Sequence, residues 1–252
     1  MGTVAQDCQA VTAAGLADEV STLVERIFTT LDSLRVKVEQ LYAARPALPS
    51  AADLGELRPD IVGTLGAERG LVVGSGYIPD VGQLCDRERW LEWWKSERDG
   101  RPTHLVVTLD PDSDDFLDYT QQQWFTTPKT TGHRNITGPY VDYLCTDEYS
   151  LTLTVPVHHD RRFVGVVGSD VFVRGLELVL LPRLRALDHQ AALVNAQGRV
   201  IVSNRARLPT GSLVRVPDVV RILSSEEDGP VDCSVGQLHP CREVPLALLS
   251  LR

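Results

Sequence analysis

The chain has 252 residues, 43% hydrophobic and 23% charged, the balance of an ordinary globular protein. Its 25 basic and 34 acidic side chains leave a formal net charge of −9. That balance argues against a nucleic-acid binder, which needs a basic face to displace counterions from phosphate, and against adhesion to anionic membranes.

The length suits one large domain or two small ones. The C-terminal run Pro245-Leu246-Ala247-Leu248-Leu249 is far short of the roughly 20 apolar residues of a membrane-spanning helix. The N-terminus shows neither the basic nor the apolar region of a signal peptide, and Gln6 stands where a myristoylation signal carries Ser or Thr. Cys8, Cys85, Cys145, Cys233 and Cys241 are odd in number and scattered, the usage of a reduced protein. The expectation is a soluble, cytoplasmic protein.

Residues 13–44 read as one long amphipathic helix. Leu16, Val20, Leu23, Ile27, Leu31, Leu34, Val38 and Leu41 recur every three or four positions, which aligns them in one stripe. A rod of this length, roughly 45 Å, serves as a dimer coiled coil or as a spine against a sheet. Pro46 and Pro49 end it, and Ser50 opens a shorter helix. Residues 70–77 read as a strand stopped at Pro79. Residues 86–97 read as a short helix, with Trp90, Trp93 and Trp94 at i, i+3 and i+4. Residues 103–109 read as a strand. Ser113 is placed as a helix N-cap, the helix running through Trp124 and stopping before Pro128.

Residues 139–145, 149–157 and 163–173, rich in Val, Thr and Tyr, form three strands joined by short turns, an antiparallel meander. Residues 176–187 read as a helix holding Pro182, and 191–194 with 199–203 as a hairpin turning at Gly198. Beyond Pro209 only short strands can be traced. The fold class is α+β.

Several motifs dissolve on inspection. Asp110, Asp112 and Asp114 begin like a calcium loop, but Asp115 and Gln121 stand where that loop needs Gly and Glu. The third Gly of a dinucleotide loop begun at Gly74-Ser75-Gly76 would fall on Pro79. Cys233, His239 and Cys241 lack the Cys-x-x-Cys pair of a metal site, and His158 and His159 read as a solvated turn. No catalytic constellation, metal or cofactor is expected.

What remains is a set of aromatic and polar residues around one acid. Asp170 closes the apolar strand Phe163-Val-Gly-Val-Val-Gly-Ser-Asp170. A carboxylate there is costly to bury unless a cation or strong donor meets it, and Trp124, Phe125 and Tyr140 are candidates to wall an ammonium group by cation–π attraction. The plainer alternative is that Asp170 caps the strand-to-helix connection.

Taken in order, Tyr119-Thr-Gln-Gln-Gln-Trp-Phe125, Gly138-Pro-Tyr-Val-Asp142, Leu151-Thr-Leu-Thr-Val-Pro-Val157 and Gly165-Val-Val-Gly-Ser-Asp170 resemble a Cache sensor domain. The resemblance covers residues 70–187. It implies a long N-terminal helix (1–50), a PAS-like antiparallel sheet domain that binds the ligand (51–187) and a smaller α/β lobe (188–252). It implies further that Trp124, Tyr140 and Asp170 match residues of the amino-acid-binding branch, in which the Asp holds the ligand's ammonium. Two positions depart from that branch. Gln122 stands where an Arg clamps the ligand's carboxylate, and Phe125 where a Tyr follows the Trp. Gln cannot supply a bidentate charged clamp, so an amine fits better than an α-amino acid, with Asp142 as a second anionic contact. The expectation is a non-catalytic sensor of a small amine or amino-acid-like metabolite, acting as a homodimer or through a signalling partner, with no nucleic acid or membrane as partner. The rivals are a regulatory or structural dimerisation module with a vestigial pocket, and an unrecognised enzyme using Asp142 or Asp170 as a general base.

Overall fold

The structure, a computed structural model, describes residues 11–142, 148–216, 219–224 and 229–252. Two compact units divide the chain: one spans Thr22–Glu177, and the other joins residues up to Ser21 to Leu178–Arg252. The division falls inside the first helix, α1 (Ala13–Ala43).

The apolar stripe of α1 is buried along its whole length. Leu16, Val20, Ile27, Leu31, Leu34 and Val38 expose 3% or less, so the stripe is a spine within the chain and is not available as a coiled-coil seam. Within the larger unit, Arg134 donates two hydrogen bonds to Glu25 and lies 4.5 Å over the Phe28 ring. Further along, the Tyr42 and Tyr77 hydroxyls lie 3.0 Å apart, and burial pushes the Tyr42 pKa up to about 12.

After Pro49, Ser50 caps α2 (Ala51–Leu54) in a capping box with Asp53. The short helices α3 (Arg58–Thr64) and α4 (Ala67–Gly70) lead into the sheet. Its strands are β1 (Val72–Pro79), β2 (Glu92–Ser96), β3 (Pro102–His104), β4 (Asn135–Asp142), β5 (Glu148–His159) and β6 (Arg162–Phe172), in the order β3-β2-β1-β6-β5-β4, antiparallel throughout. The expected meander is β4–β5–β6.

The segment read as a helix around the tryptophans is β2. Glu92 is buried and accepts the indole N–H groups of Trp90 at 3.2 Å and Trp94 at 2.8 Å. Trp94 reaches this carboxylate because i and i+2 share a face of a strand, and Trp90 reaches it from just before the strand begins. The strand expected over 103–109 keeps only β3. Beyond it the Leu105 N–H still reaches the Trp93 carbonyl at 2.8 Å, and Leu105, Val107 and Leu109 pack inward while Val106 is 84% exposed, an alternation that outlasts the strand. The Ser113 hydroxyl accepts the Asp115 N–H and its carbonyl the Phe116 N–H, in a turn. The helix itself begins later, as a 3₁₀ turn at Tyr119–Gln121 followed by α5 (Gln123–Thr131). It runs through Pro128, whose ring nitrogen cannot donate to the Trp124 carbonyl four residues back. The Thr154 hydroxyl donates to that carbonyl at 2.9 Å and supplies the missing bond.

In the second unit α6 (Val173–Arg185), which begins in the first, leads to a five-stranded antiparallel sheet: β7 (Ala191–Asn195), β8 (Val200–Ser203), β9 (Val231–Cys233), β10 (Gly236–Pro240) and β11 (Leu246–Leu251), ordered β8-β7-β11-β10-β9, with α7 (Val219–Ser224). The β7–β8 hairpin turns at Gly198, as its sequence indicates. One face carries a core built on Val194, Val200, Leu238, Ala247 and Leu249.

Candidate ligand-binding site

Strand alternation places Gly74 and Gly76 of β1 and Gly168 and Asp170 of β6 on the face opposite Ser75, Tyr77 and Ser169. The register sets Gly74 beside Asp170 and Gly76 beside Gly168. Thr152 of β5 lies opposite Asp170, and Thr154 opposite Gly168. The same face carries an aromatic cluster of Trp93, Tyr119 and Phe125 with Ile78, Leu91 and Val166.

Asp170 is the acidic centre of this face, only 9% exposed. Its Oδ1 accepts the Thr152 hydroxyl at 2.7 Å, and the Tyr140 hydroxyl lies 2.6 Å from Thr152 Oγ1. Since the Thr152 proton is directed at Asp170, Tyr140 is the donor in the second bond. Two strands thus bring two neutral hydroxyls in series onto one carboxylate. Tyr140 itself is half-buried.

Trp93 was not legible as part of this site. An ideal Cβ on Gly74 would lie 3.0 Å from both Asp170 Oδ2 and Trp93 Nε1, and one on Gly168 would lie 3.2 Å from the far edge of the same indole. The two glycines therefore let the indole lie on the sheet with its N–H edge toward Asp170. The signal was present in the Gly-x-Gly of β1 and the Gly-Ser-Asp of β6, but it has meaning only once β1, β2 and β6 are known to be neighbours.

The other residues singled out fall at different depths. Trp124 is half-buried at the start of α5, and its carbonyl is held by Thr154. Phe125 is fully buried, with edge contacts to Tyr119 and Phe163 at ring separations of 5.2 and 5.6 Å, so it packs the floor. Gln122 is exposed at the N-cap of α5, where its side chain makes no capping bond. Asp142 ends β4, paired in register with Glu148, and its side chain lies outside the described residues. Among the described residues, no three His, Cys, Asp or Glu side chains are grouped to hold a metal ion, and no helix is long and apolar enough to cross a membrane.

Residues 98–177 match the family model for the first PDC sensor domain of methyl-accepting-chemotaxis-protein-like receptors. No curated protein matches the sequence. Among solved structures, the extracellular domain of the histidine kinase mmHK1S-Z3 superposes with a TM-score of 0.67 at 12% identity, covering 95% of this chain and 91% of that one. The ligand-binding domain of the Pseudomonas fluorescens chemoreceptor CtaA, in complex with L-valine, gives 0.57 at 17% identity over 95% and 94%. That of the Pseudomonas aeruginosa amino-acid chemoreceptor PctC, in complex with GABA, gives 0.53 at 15% over 94% and 96%. The chain therefore has the α+β fold of Cache-type sensor domains, and its central segment carries their sequence pattern.

Proposed function

We propose that the Thr22–Glu177 unit is a non-catalytic sensor module that binds a small amine or amino-acid-like metabolite, with its ammonium on Asp170. The observation that carries the reading is a carboxylate nine-tenths buried on a sheet face beside Trp93, with Thr152 and Tyr140 orienting it. An ammonium placed there gains a charge-assisted hydrogen bond and the attraction of the aromatic faces together. The relatives in complex with L-valine and GABA bind ligands that carry such a group. Exposed Gln122 replaces a carboxylate clamp with a neutral hydrogen-bonding group, which tilts the preference toward amines. Asp142 adds negative charge at the end of β4.

The odd number and scatter of the cysteines in the sequence favour a reducing, cytoplasmic setting. Output would pass through a homodimer or a signalling partner on surfaces other than the buried stripe of α1. Full burial of Phe125 and the position of Trp93 over the glycines favour one alternative, a dimerisation or partner-binding module with a vestigial pocket. Calorimetric titration with a broad panel of amines and amino acids separates the two. At least one amine should bind, and Asp170→Ala should abolish the heat. A panel with no binder, or a binder indifferent to Asp170→Ala, would leave the alternative standing.

A further inference from the structure

The unit that contains Leu178–Arg252 holds a polar array that plays no part in the ammonium site. Asp188 Oδ1 lies 2.7 Å from His189 Nδ1, and His189 Nε2 lies 2.9 Å from Ser250 Oγ. Ser250 Oγ lies in turn 3.2 Å from His239 Nε2. The residues sit just before β7, on β11 and on β10, three neighbouring strands.

The proton positions follow from the contacts. An ionised Asp188 accepts, so His189 Nδ1 carries its proton and Nε2 presents a lone pair to the Ser250 hydroxyl. His239 Nδ1 is buried without a partner. An orphaned buried N–H is rarer than an under-satisfied acceptor, which puts the His239 proton on Nε2, donating to Ser250 Oγ. Burial, with His189 nearby, holds the His239 pKa down and keeps that ring neutral. Ser250 Oγ thus has a base to take its proton and a second donor to stabilise the charge left behind. A cavity of about 750 Å³ opens on the group, lined by His189, Ser250 and His239 together with Gln237 and Arg252.

We propose that Ser250 is a nucleophilic serine, with His189 as its general base and Asp188 fixing the tautomer of that base, and that it takes small esters or comparable acyl electrophiles from this cavity. This is the arrangement of roles found in Ser-His-Asp hydrolases, which is defined by geometry and not by chain order. In the first step Ser250 Oγ bonds to the carbonyl carbon and its proton passes to His189 Nε2. The C–O bond to the leaving group then breaks, and the departing alcohol takes that proton. Water, deprotonated by His189, hydrolyses the acyl-serine to the carboxylic acid and restores the hydroxyl. His239 donates to Oγ and positions it; Asp188 is solvent-exposed, so its hold on His189 is a screened one.

The test treats the full chain with a fluorophosphonate, which forms an Oγ–P bond and releases fluoride, and maps the added mass by peptide analysis. Hydrolysis of p-nitrophenyl acetate is followed in parallel. The expected result is the phosphonyl mass on the Ser250 peptide and ester turnover above buffer. Ser250→Ala removes both, and His189→Gln slows both by roughly a hundredfold or more. Circular dichroism and melting confirm that the variants remain folded. Absence of label on Ser250 in the wild type, or unchanged labelling and turnover in folded His189→Gln, overturns the proposal: an array that only ties strands together gives those results.

Discussion

At the scale of single residues, the proposed amine site turns on the acid at Asp170 and on the neutral Gln122. The Thr152 hydroxyl donates to Asp170 Oδ1, a bond an amide oxygen also accepts, so Asp170→Asn keeps that hydrogen bond while removing the charge. A hydrogen bond to a charged group is worth about 1.5–3 kcal/mol. Amine affinity should therefore fall about tenfold to a hundredfold in titration calorimetry, and equal affinity would remove Asp170 from the site. Gln122 offers the complementary gain. Its side chain makes no capping bond and is exposed, so Gln122→Arg should fold normally. It places a bidentate cation where Gln has only an amide. The affinity ratio of an α-amino acid to the matching amine should rise by about tenfold, from one charge-assisted bond. A ratio that stays put would show that position 122 does not reach the ligand.

At the scale of elements, two helix devices lend themselves to measurement. Thr154 is fully buried and closes the gap that Pro128 leaves in α5. Thr154→Val keeps the shape and strands the Trp124 carbonyl, which should cost about 1–3 kcal/mol in urea unfolding; wild-type stability would mean that the carbonyl finds another donor. At α2, the Ser50 backbone N–H and hydroxyl, followed by Arg45, hold the Asp53 pKa down from 3.8 to about 2. A depressed carboxylate stabilises the fold above its unfolded pKa and loses that contribution as pH falls through its folded one. The melting temperature of Asp53→Asn should thus lie below that of the wild type near neutrality, the gap closing as pH drops from about 4 to about 2. A gap independent of pH would assign the effect to lost packing. Both devices bear on what could be read in advance. Ser50 and Asp53 are three residues apart, a local pattern, and α1 and the meander likewise announced themselves by period. The passage of α5 through Pro128 depends on a donor 30 residues along the chain from the carbonyl it satisfies, and the strand character of β2 on its pairing with β1 and β3. The aromatic spacing in β2 fits a helix until the sheet supplies neighbours. Asp170, Tyr140 and Trp124 were visible as types in order; Trp93, whose place is set by glycines on two other strands, was not.

At the scale of the whole molecule, the two units each have a core, and α1 belongs in part to each unit. Cys241 reports on the unit containing Leu178–Arg252. It is 3% exposed, and burial pushes its pKa up to about 12, so neither access nor thiolate is available in the folded state. Cys85, exposed, should react with iodoacetamide in native buffer, whereas Cys241 should react only across the urea transition, as followed by peptide mass spectrometry. Reaction of both at one rate without denaturant would contradict the burial. The same thiol then measures cooperativity. An amine bound to the Thr22–Glu177 unit at a hundred times its Kd stabilises that unit by about 2.7 kcal/mol. Because one uninterrupted helix belongs in part to each unit, the two units should unfold together, and the amine should raise the urea midpoint of Cys241 labelling along with that of global unfolding. A Cys241 midpoint that ignores the ligand while the global signal moves would show instead that the units open separately. The buried stripe of α1 would then have to be read as two half-helices, each stabilised by its own core.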